Sequence, residues 1–197
     1  RRIFKFIKNR PQSLENDILI KLIKKKSVKG VLSKRNFIDI GSYQKLDFLK
    51  KNPSFIQNKA FFLDRDGVIN KENGYVLKYS QFFFLNGVKK AIKYINDNNY
   101  LVIILTNQSA IGQGFLNEIK LNKIHQQMTK ELFNNNRSKI NDIYFAPYFK
   151  KSKYQKYRKN SGDRKPNIGM FKKALEKWNI DIKKSFFIGD KKTDYLA

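Results

Sequence analysis

The sequence predicts an α/β protein with a doubly wound parallel sheet from about residue 59 onward, preceded by a short α+β segment from a second domain. Short apolar runs alternate there with longer segments of helical periodicity, and strands that alternate with helices pair in parallel. Several of these runs end in polar residues. In such sheets the carboxyl ends of the strands line one ligand-binding edge.

The N-terminal region, residues 1–52, has a different pattern. A helix is predicted around 14–25, followed by two short strands, "VKGVLSK" and "FIDIG", and a helix over about 43–50. These few elements are too small to enclose a core alone. A linker is predicted over 53–58, "PSFIQN", because a proline interrupts a largely polar stretch.

Four strands and three helices are predicted in the second region, residues 59–197. The strands are "AFFLD", "YLVIILTN", "INDIYFAP" and "SFFIGD", all short and apolar as buried strands are. The helices are "GVKKAIKYINDNN", "LNEIKLNKIHQQMTKELFNNN" and "IGMFKKALEKWNI", which carry apolar residues near helical spacing. In the last of them Met170 and Trp178 are predicted core residues. The chain stops soon after the fourth strand, so this domain is expected to be truncated at its C-terminus.

Composition narrows the class of protein. The chain has no cysteine, which excludes disulfides and thiolate zinc sites and fits a cytoplasmic setting. No apolar run approaches the roughly 20 residues that cross a bilayer, so no membrane partner is predicted. Lys+Arg number 42 against 16 Asp+Glu, a net charge of +26, which suggests an anionic partner or substrate. The lysines are spread along the whole chain, and this favours compositional drift or a general attraction for phosphates over a nucleic-acid surface.

Polar residues coincide with the predicted carboxyl edge of the sheet. Asp64 ends the first strand, Thr106 and Asn107 end the second, and Asp190 ends the fourth. Lys165 comes just before the last predicted helix. Because parallel strands end at the same edge, these side chains are expected to converge. Carboxylates beside a hydroxyl and a lysine make a site for a metal ion and a phosphate.

These residue types fit phosphoryl transfer. Asp64 can attack phosphorus to give an aspartyl-phosphate, which splits hydrolysis into two easier steps. Asp66 lies two residues on, and the glycine after it permits a sharp turn, so it can protonate the leaving alkoxide and later deprotonate water. The predicted Mg²⁺ ligands are Asp64, Asp66 and Asp190, with a backbone carbonyl. Thr106 can hydrogen-bond the phosphoryl group and Lys165 can neutralise its charge.

Taken together, these residues resemble the haloacid dehalogenase phosphatase superfamily. Its four motifs appear in order as "DRDG" at 64–67, "LTN" at 105–107, Lys165, and "IGDKKTD" at 188–194. A lone Asp-x-Asp is a weak signal, whereas four ordered motifs are a strong one. The stretches "LDRDGVIN", "NGYV", "TNQSAIGQG" and "RKPNIGMF" are similar to the D-glycero-D-manno-heptose 1,7-bisphosphate 7-phosphatases and the related histidinol-phosphate phosphatases.

The resemblance implies a role for each matching residue. Asp64 would be the nucleophile and Asp66 the acid/base. The implied catalytic residues are Asp64, Asp66, Thr106 and Lys165. The implied substrate contacts are Arg65, Glu72, Asn73, Gly74, Tyr75, Asn107, Gln108, Ser109 and Arg164. The implied reaction removes the 7-phosphate of the sugar bisphosphate on the way to an NDP-heptose, a glycan precursor.

The sequence departs from the family pattern at a zinc loop. Many members hold this loop with Cys-x-His and Cys-x-Cys, but the corresponding places here read "APY" at 146–148 and "SGD" at 161–163. No thiolate ligand is available, so no zinc is predicted. The loop 148–162, "YFKKSKYQKYRKNSG", is basic and aromatic instead. It is expected to cover the site or to recruit an anionic substrate.

The N-terminal region has a resemblance of its own. "SLENDIL" and "GVLSKRNFIDIGSYQKL" are similar to the tail of a sugar-1-phosphate nucleotidyltransferase. Asp39 matches the aspartate that binds Mg²⁺ there, and a turn cap is its alternative role. The Gly-rich nucleotide-binding segment of that family is absent, so this remnant is not expected to transfer a nucleotide alone. The implied parent is a fusion of a heptose-1-phosphate nucleotidyltransferase with its upstream phosphatase.

Three functions remain open. The first is a sugar-phosphate phosphatase, with histidinol phosphate as a related substrate. The second is a polynucleotide 3′-phosphatase of the same superfamily, which the +26 charge encourages. The third is a non-catalytic module, against which the complete set of acids and lysine speaks. His125 is predicted at the surface or at a helix contact, without a catalytic role, and Asp194 at a helix start or behind the site.

Overall fold

The computed structural model describes residues 7, 13–30 and 37–197. The chain divides into two compact units, Arg1–Arg35 and Asn36–Ala197. In the first unit, Ser13 caps a helix by accepting a hydrogen bond from a backbone N–H. The helix runs as a π-helix over Leu14–Leu19 and continues as α1, Ile20–Lys24. This agrees with the helix predicted around 14–25.

The two N-terminal strands were predicted wrongly where the structure describes them. Residues 28–30 and 37–41 form no strand, and the rest of "VKGVLSK" lies outside the described residues. A short alternating run becomes a strand only if a partner strand satisfies its backbone N–H and C=O groups. Instead, the Asp39 carboxylate accepts a hydrogen bond from the backbone N–H of Gly41, and α2, Tyr43–Lys51, begins at the Ser42 cap.

The predicted linker, 53–58, contains a short 3₁₀-helix, Pro53–Phe55. Phe55 packs edge-on against Phe48 of α2, with ring centroids 5.6 Å apart. The assignment of 1–52 and 59–197 to two different domains stays a prediction.

A parallel sheet organises the rest of the chain. Its strands are β1, Lys59–Leu63; β2, Tyr100–Asn107; β3, Asp142–Ala146; and β4, Phe186–Ile188. The spatial order is β3-β2-β1-β4, and all neighbouring strands are parallel. The chain adds β2 and β3 on one side of β1 and then places β4 on the other. The crevice at the carboxyl end of β1 is therefore the switch point where open α/β sheets bind ligands.

Helices cover both faces of the sheet, which confirms the predicted doubly wound fold. They are α3, Val88–Asp97; α4, Ser109–Gly112; α5, Glu118–Asn136; α6, Gly169–Trp178; and α7, Lys192–Tyr195. Among the described residues, no helix combines the length and the apolar character that a membrane crossing needs.

Alternate residues of β2 feed two separate apolar cores. Val102 and Ile104 pack with α3 and α5 on one face, while Leu101, Ile103 and Leu105 pack with α6 on the other. This alternation follows from the two-residue period of a strand. Met170 lies in the second core as predicted, and Trp178 packs against it while partly buried. The end of β2 is consequently held rigidly from both sides.

Candidate active site

Asp64 follows β1 directly, and its side chain is buried. Its backbone N–H donates to the carbonyl of Ile188 at 2.9 Å, which ties it to the end of β4. Its Oδ1 accepts from the backbone N–H of Arg65 at 2.8 Å and forms an ion pair with Lys165 Nζ at 2.9 Å. Burial raises the pKa of Asp64 above its ordinary value, and the Lys165 ammonium opposes that rise.

Lys165 is buried between two acids. Besides Asp64, its Nζ lies 2.6 Å from Asp194 Oδ1. Its backbone is clamped by Asn107 at the end of β2: the Lys165 N–H donates to Asn107 Oδ1 at 3.0 Å, and Asn107 Nδ2 donates to the Lys165 carbonyl at 3.1 Å. Asn107 was predicted to contact substrate. In the structure both ends of its amide hold Lys165 in place instead.

Asp66 is bonded from three sides. Arg65 donates to it from Nε at 3.0 Å and from Nη2 at 2.8 Å to each oxygen. Asn70 Nδ2 donates at 3.0 Å and Gln108 Nε2 at 2.8 Å. Burial alone would raise the pKa of Asp66, but the Arg65 charge and these hydrogen bonds outweigh it and lower the pKa below its ordinary value. Asp66 is therefore a fixed, ionised carboxylate in the free protein.

Thr106 and Gln108 extend this network across the end of β2. Gln108 Nε2 donates to Thr106 Oγ1 at 2.9 Å as well as to Asp66. A hydroxyl that accepts one hydrogen bond keeps its own hydrogen to donate, so Thr106 can still serve a phosphoryl oxygen. Gln108 was predicted to contact substrate. It is buried, and its amide N–H groups bind the protein.

Arg65 was also predicted to contact substrate, and the structure corrects this. Its side chain is 1% exposed and turns inward, where Nη1 lies 3.2 Å from Nε2 of His125 on α5. His125 is buried at a helix contact, and burial together with the Arg65 charge lowers its pKa to about 3. The sequence carried a signal for this: His125 continues the apolar stripe of Leu121, Met128 and Leu132 at helical spacing.

The carboxylates that could share a metal ion are Asp64, Asp190 and Asp194, whose oxygens lie within 4.8 Å of one another. Gly67 makes this possible, because a Cβ there would lie 2.0 Å from Asp190 Oδ2. The predicted set also contained Asp66, whose carboxylate is held by Arg65, Asn70 and Gln108. The helix-start role predicted for Asp194 is present too, since its Oδ2 accepts from the backbone N–H of Lys191.

Lys191 adds a second cation at this edge. Its Nζ donates to Glu72 Oε2 at 2.9 Å. Burial would lower the pKa of Lys191, but the hydrogen bond to Glu72 and the charges of Glu72, Asp190 and Asp64 raise it. Glu72, which was predicted to contact substrate, is thus exposed and bonded to the segment after β4.

Another run of predicted substrate contacts lies at the protein surface. Glu72, Asn73, Gly74 and Tyr75 are all exposed. The Tyr75 hydroxyl accepts from Gln113 and lies 3.5 Å from Ser109 Oγ, and its ring lies 5.8 Å from that of Phe115. Their contact with a substrate stays a prediction.

Hydrogen bonds within the protein fix the loop 148–162. The Tyr157 hydroxyl donates to Glu118 of α5, and the Ser152 hydroxyl donates to the Gly112 carbonyl at the end of α4. Arg164, another predicted substrate contact, donates from Nη1 to the Tyr148 carbonyl at 3.1 Å. Burial lowers the pKa of Arg164 below its ordinary value. Side-chain contacts thus anchor the loop to the edge that carries the acids.

Asp39 lies outside this site. Its side chain is 71% exposed, and it pairs with Lys45 Nζ at 3.4 Å. Among the described residues, one cluster of three acids is able to hold a metal ion, and Asp39 is not part of that cluster. Its contacts are those of the alternative role, a turn cap.

Comparisons with known proteins place the chain among phosphatases. A family model described as polynucleotide kinase 3 phosphatase matches residues 59–194. A D-glycero-beta-D-manno-heptose-1,7-bisphosphate 7-phosphatase of Haemophilus ducreyi is 37% identical over 139 residues, which cover 71% of this chain and 76% of the relative. A D-glycero-alpha-D-manno-heptose-1,7-bisphosphate 7-phosphatase of Campylobacter jejuni is 39% identical over 142 residues, 72% and 77% of the two chains.

Two solved phosphatase structures are also similar to this chain. A haloacid dehalogenase-like phosphatase of Mesorhizobium loti superposes with a TM-score of 0.67 at 25% identity, covering 71% of this chain and 66% of that one. The D,D-heptose 1,7-bisphosphate phosphatase of B. bronchiseptica, complexed with magnesium and phosphate, gives 0.63 at 26% identity, covering 70% and 73%. The chain therefore belongs to the haloacid dehalogenase superfamily, in the family of phosphoric monoester hydrolases that contains the heptose 1,7-bisphosphate 7-phosphatases.

Proposed function

We propose that this chain removes the 7-phosphate of D-glycero-D-manno-heptose 1,7-bisphosphate with the help of Mg²⁺. The main support is the buried Asp64 at the switch point of the sheet, paired with Lys165 at 2.9 Å and grouped with Asp190 and Asp194. The names of its relatives indicate the substrate, and this chain spans about three quarters of their length.

In the first half-reaction, a carboxylate oxygen of Asp64 attacks phosphorus, and the bond from phosphorus to the sugar oxygen breaks. The products are an aspartyl-phosphate and an alkoxide, which takes a proton from Asp66. Lys165 neutralises charge on the transferring group, and Thr106 donates to one of its oxygens. Asn107 and Asp194 keep Lys165 in position for this step.

In the second half-reaction, water attacks the aspartyl-phosphate and gives its proton to Asp66, while inorganic phosphate leaves and Asp64 is restored. The lowered pKa of free Asp66 makes it a carboxylate, ready to accept that proton. A phosphate dianion arriving beside it disfavours a second negative charge and raises its pKa. The substrate itself thus favours the protonated form that the first half-reaction needs.

The residues present fit a divalent metal ion. The atoms that would bind the ion are carboxylate oxygens, which Mg²⁺ prefers. Because Gly67 has no Cβ, there is room for Asp190. Asp64 and Asp190 would hold the ion, because both oxygens of Asp194 already have partners, Lys165 Nζ and the backbone N–H of Lys191. When bound, Mg²⁺ would reduce the repulsion between Asp64 and the phosphate and polarise a phosphoryl oxygen.

The test is release of phosphate from heptose 1,7-bisphosphate, with the product identified by phosphorus NMR. We expect the 1-phosphate to remain, removal of Mg²⁺ by a chelator to stop turnover, and Asp64→Asn to fall to background. Asp97→Asn is the matched control, because Asp97 is an acid at the C-terminal end of α3, away from the acids that follow β1 and β4. Equal phosphate release by Asp64→Asn and wild type would refute the proposal.

A polynucleotide 3′-phosphatase is the second candidate, favoured by the matching family model and the net charge of +26. Histidinol phosphate is the third substrate to compare. A higher kcat/KM for a 3′-phosphorylated oligonucleotide than for the sugar bisphosphate would favour the polynucleotide 3′-phosphatase over our proposal. Added unphosphorylated DNA should leave hydrolysis of the sugar substrate unchanged if the sugar is the true substrate.

We further propose that residues 1–52 derive from a sugar-1-phosphate nucleotidyltransferase fused to the phosphatase through 53–58, in a cytoplasmic enzyme. The support is the sequence likeness around Asp39 and the lack of cysteine. Assay of the full-length parent for transfer of a nucleotide to heptose 1-phosphate tests the fusion. A parent without the Gly-rich nucleotide-binding segment would contradict it.

A further inference from the structure

We infer that His125 is a positioning residue for proton transfer: it holds the Arg65 guanidinium, and Arg65 holds the Asp66 carboxylate. The inference rests on the proposed function, because it adds a residue to the proton transfer assigned there to Asp66. His125 lies on α5, a different element from the loop that carries the acids, and it does not touch Asp66 by any hydrogen bond that the described residues make.

The guanidinium geometry carries the first step. Arg65 Nε and Nη2 both donate to Asp66, at 3.0 and 2.8 Å, and Nη1 lies 3.2 Å from His125 Nε2. A guanidinium is planar and its donors form a rigid fork. A partner at Nη1 therefore fixes the rotation of the fork, and with it the direction in which Asp66 is held.

The chemistry of the pair fixes the state of His125. Arginine can only donate hydrogen bonds, so Nε2 must be the acceptor and the proton of the neutral ring must sit on Nδ1. His125 is buried, and its ring lies 6.3 Å from that of Phe145 on β3. A neutral acceptor anchored between a 19-residue helix and the sheet satisfies a buried cation without competing with Asp66 for its charge.

The alternative is that His125 only stabilises the fold by satisfying Arg65. The two roles differ in how activity depends on the leaving group. A general acid matters most for poor leaving groups and little for good ones, because a stable leaving anion departs without a proton. Loss of a merely structural contact lowers the rate for every ester by the same factor.

We would measure kcat/KM for a series of substituted phenyl phosphates, because this constant reports the step in which the ester bond breaks. Asp66→Asn defines the pattern for loss of the acid. For His125→Leu we expect a loss of about tenfold to a hundredfold with phenyl phosphate and a change within about twofold with 4-nitrophenyl phosphate. For each variant we take the ratio of kcat/KM for phenyl phosphate to kcat/KM for 4-nitrophenyl phosphate. This ratio does not depend on the fraction of folded protein.

Two further variants make the test specific. His125→Gln keeps an acceptor for Arg65 and should restore most of the lost ratio. Met128→Leu changes a neighbouring buried residue of α5 and should leave the ratio as in the wild type. An equal loss for all esters in His125→Leu, or no recovery in His125→Gln, would overturn the inference. Absence of any Asp64-dependent phosphate release in the wild type would instead show that the proposed function has failed, and the inference with it.

Discussion

Gly67 decides whether the acids of two strands can meet. Its φ is +87°, a conformation that side chains disfavour, and a Cβ on it would lie 2.0 Å from Asp190 Oδ2. The chain can turn after Asp66 only because this residue has no side chain. The same absence lets the acid after β4 approach Asp64, the acid after β1.

We expect Gly67→Ala to lose activity far beyond its loss of stability. Gly87→Ala is the matched control, since Gly87 has a φ of +84° with nothing within 4 Å of its Cβ position. Both substitutions should cost about 1–2 kcal/mol of unfolding free energy through the backbone. Only Gly67→Ala should displace Asp190, lowering kcat/KM about a hundredfold or more. Urea titration and kinetics measure the two effects, and equal activity of the two variants would contradict this reading.

At the scale of the elements, the site depends on ties between the end of β2 and the segment before α6. Asn107 makes this tie with two hydrogen bonds to the Lys165 backbone. Lys165 has no strand or helix of its own to fix it, because it lies just ahead of Gly169–Trp178. Its ammonium reaches Asp64 only because a rigid strand holds the loop that carries it.

Removing this tie should cost activity as well as stability. Asn96 offers a matched control, because it clamps the Lys139 backbone with the same two bonds, at 3.1 and 2.6 Å, on α3. We expect Asn107→Ala and Asn96→Ala each to lose about 1–3 kcal/mol of unfolding free energy. Asn107→Ala alone should also lose about tenfold or more in kcat/KM. Similar kinetics for the two variants would show that Lys165 holds its place without Asn107.

The molecule as a whole carries a net charge of +26 in 197 residues. Such a charge destabilises the compact state through self-repulsion and attracts anions. The site adds to this attraction locally, since Lys165 and Lys191 face its acids. Added salt should therefore raise the stability of the fold and weaken the capture of an anionic substrate.

Between about 20 and 300 mM NaCl, where the Debye length falls below about 10 Å, we expect Tm to rise and kcat/KM for the bisphosphate to fall. The kcat at saturating substrate should stay nearly constant, because screening acts on capture rather than on the buried groups. Calorimetry and steady-state kinetics measure these quantities in the same buffers. A Tm that falls with salt would mean that specific ion pairs outweigh the general repulsion.

Much of the fold was predictable because the central strands, β1 and β2, pack against a core on each face. β2 reads as a continuous apolar run, and the structure buries it against both cores. The N-terminal strands failed for a related reason. "FIDIG" has the right pattern, yet 37–41 has no strand in the structure, and a pattern cannot tell whether a partner strand will be present.

By itself, the sequence determined the sheet, its ligand-binding edge, and the acids and lysine that reach it, because strand period and strand ends are local properties. Tertiary structure decided how those side chains are shared. In the folded protein Arg65 donates hydrogen bonds to Asp66, Asp194 lies beside Asp64, and Arg65 contacts His125, which is 60 residues away along the chain. A hydrogen bond between distant elements depends on how the helices pack on the sheet, and no spacing within one element encodes it.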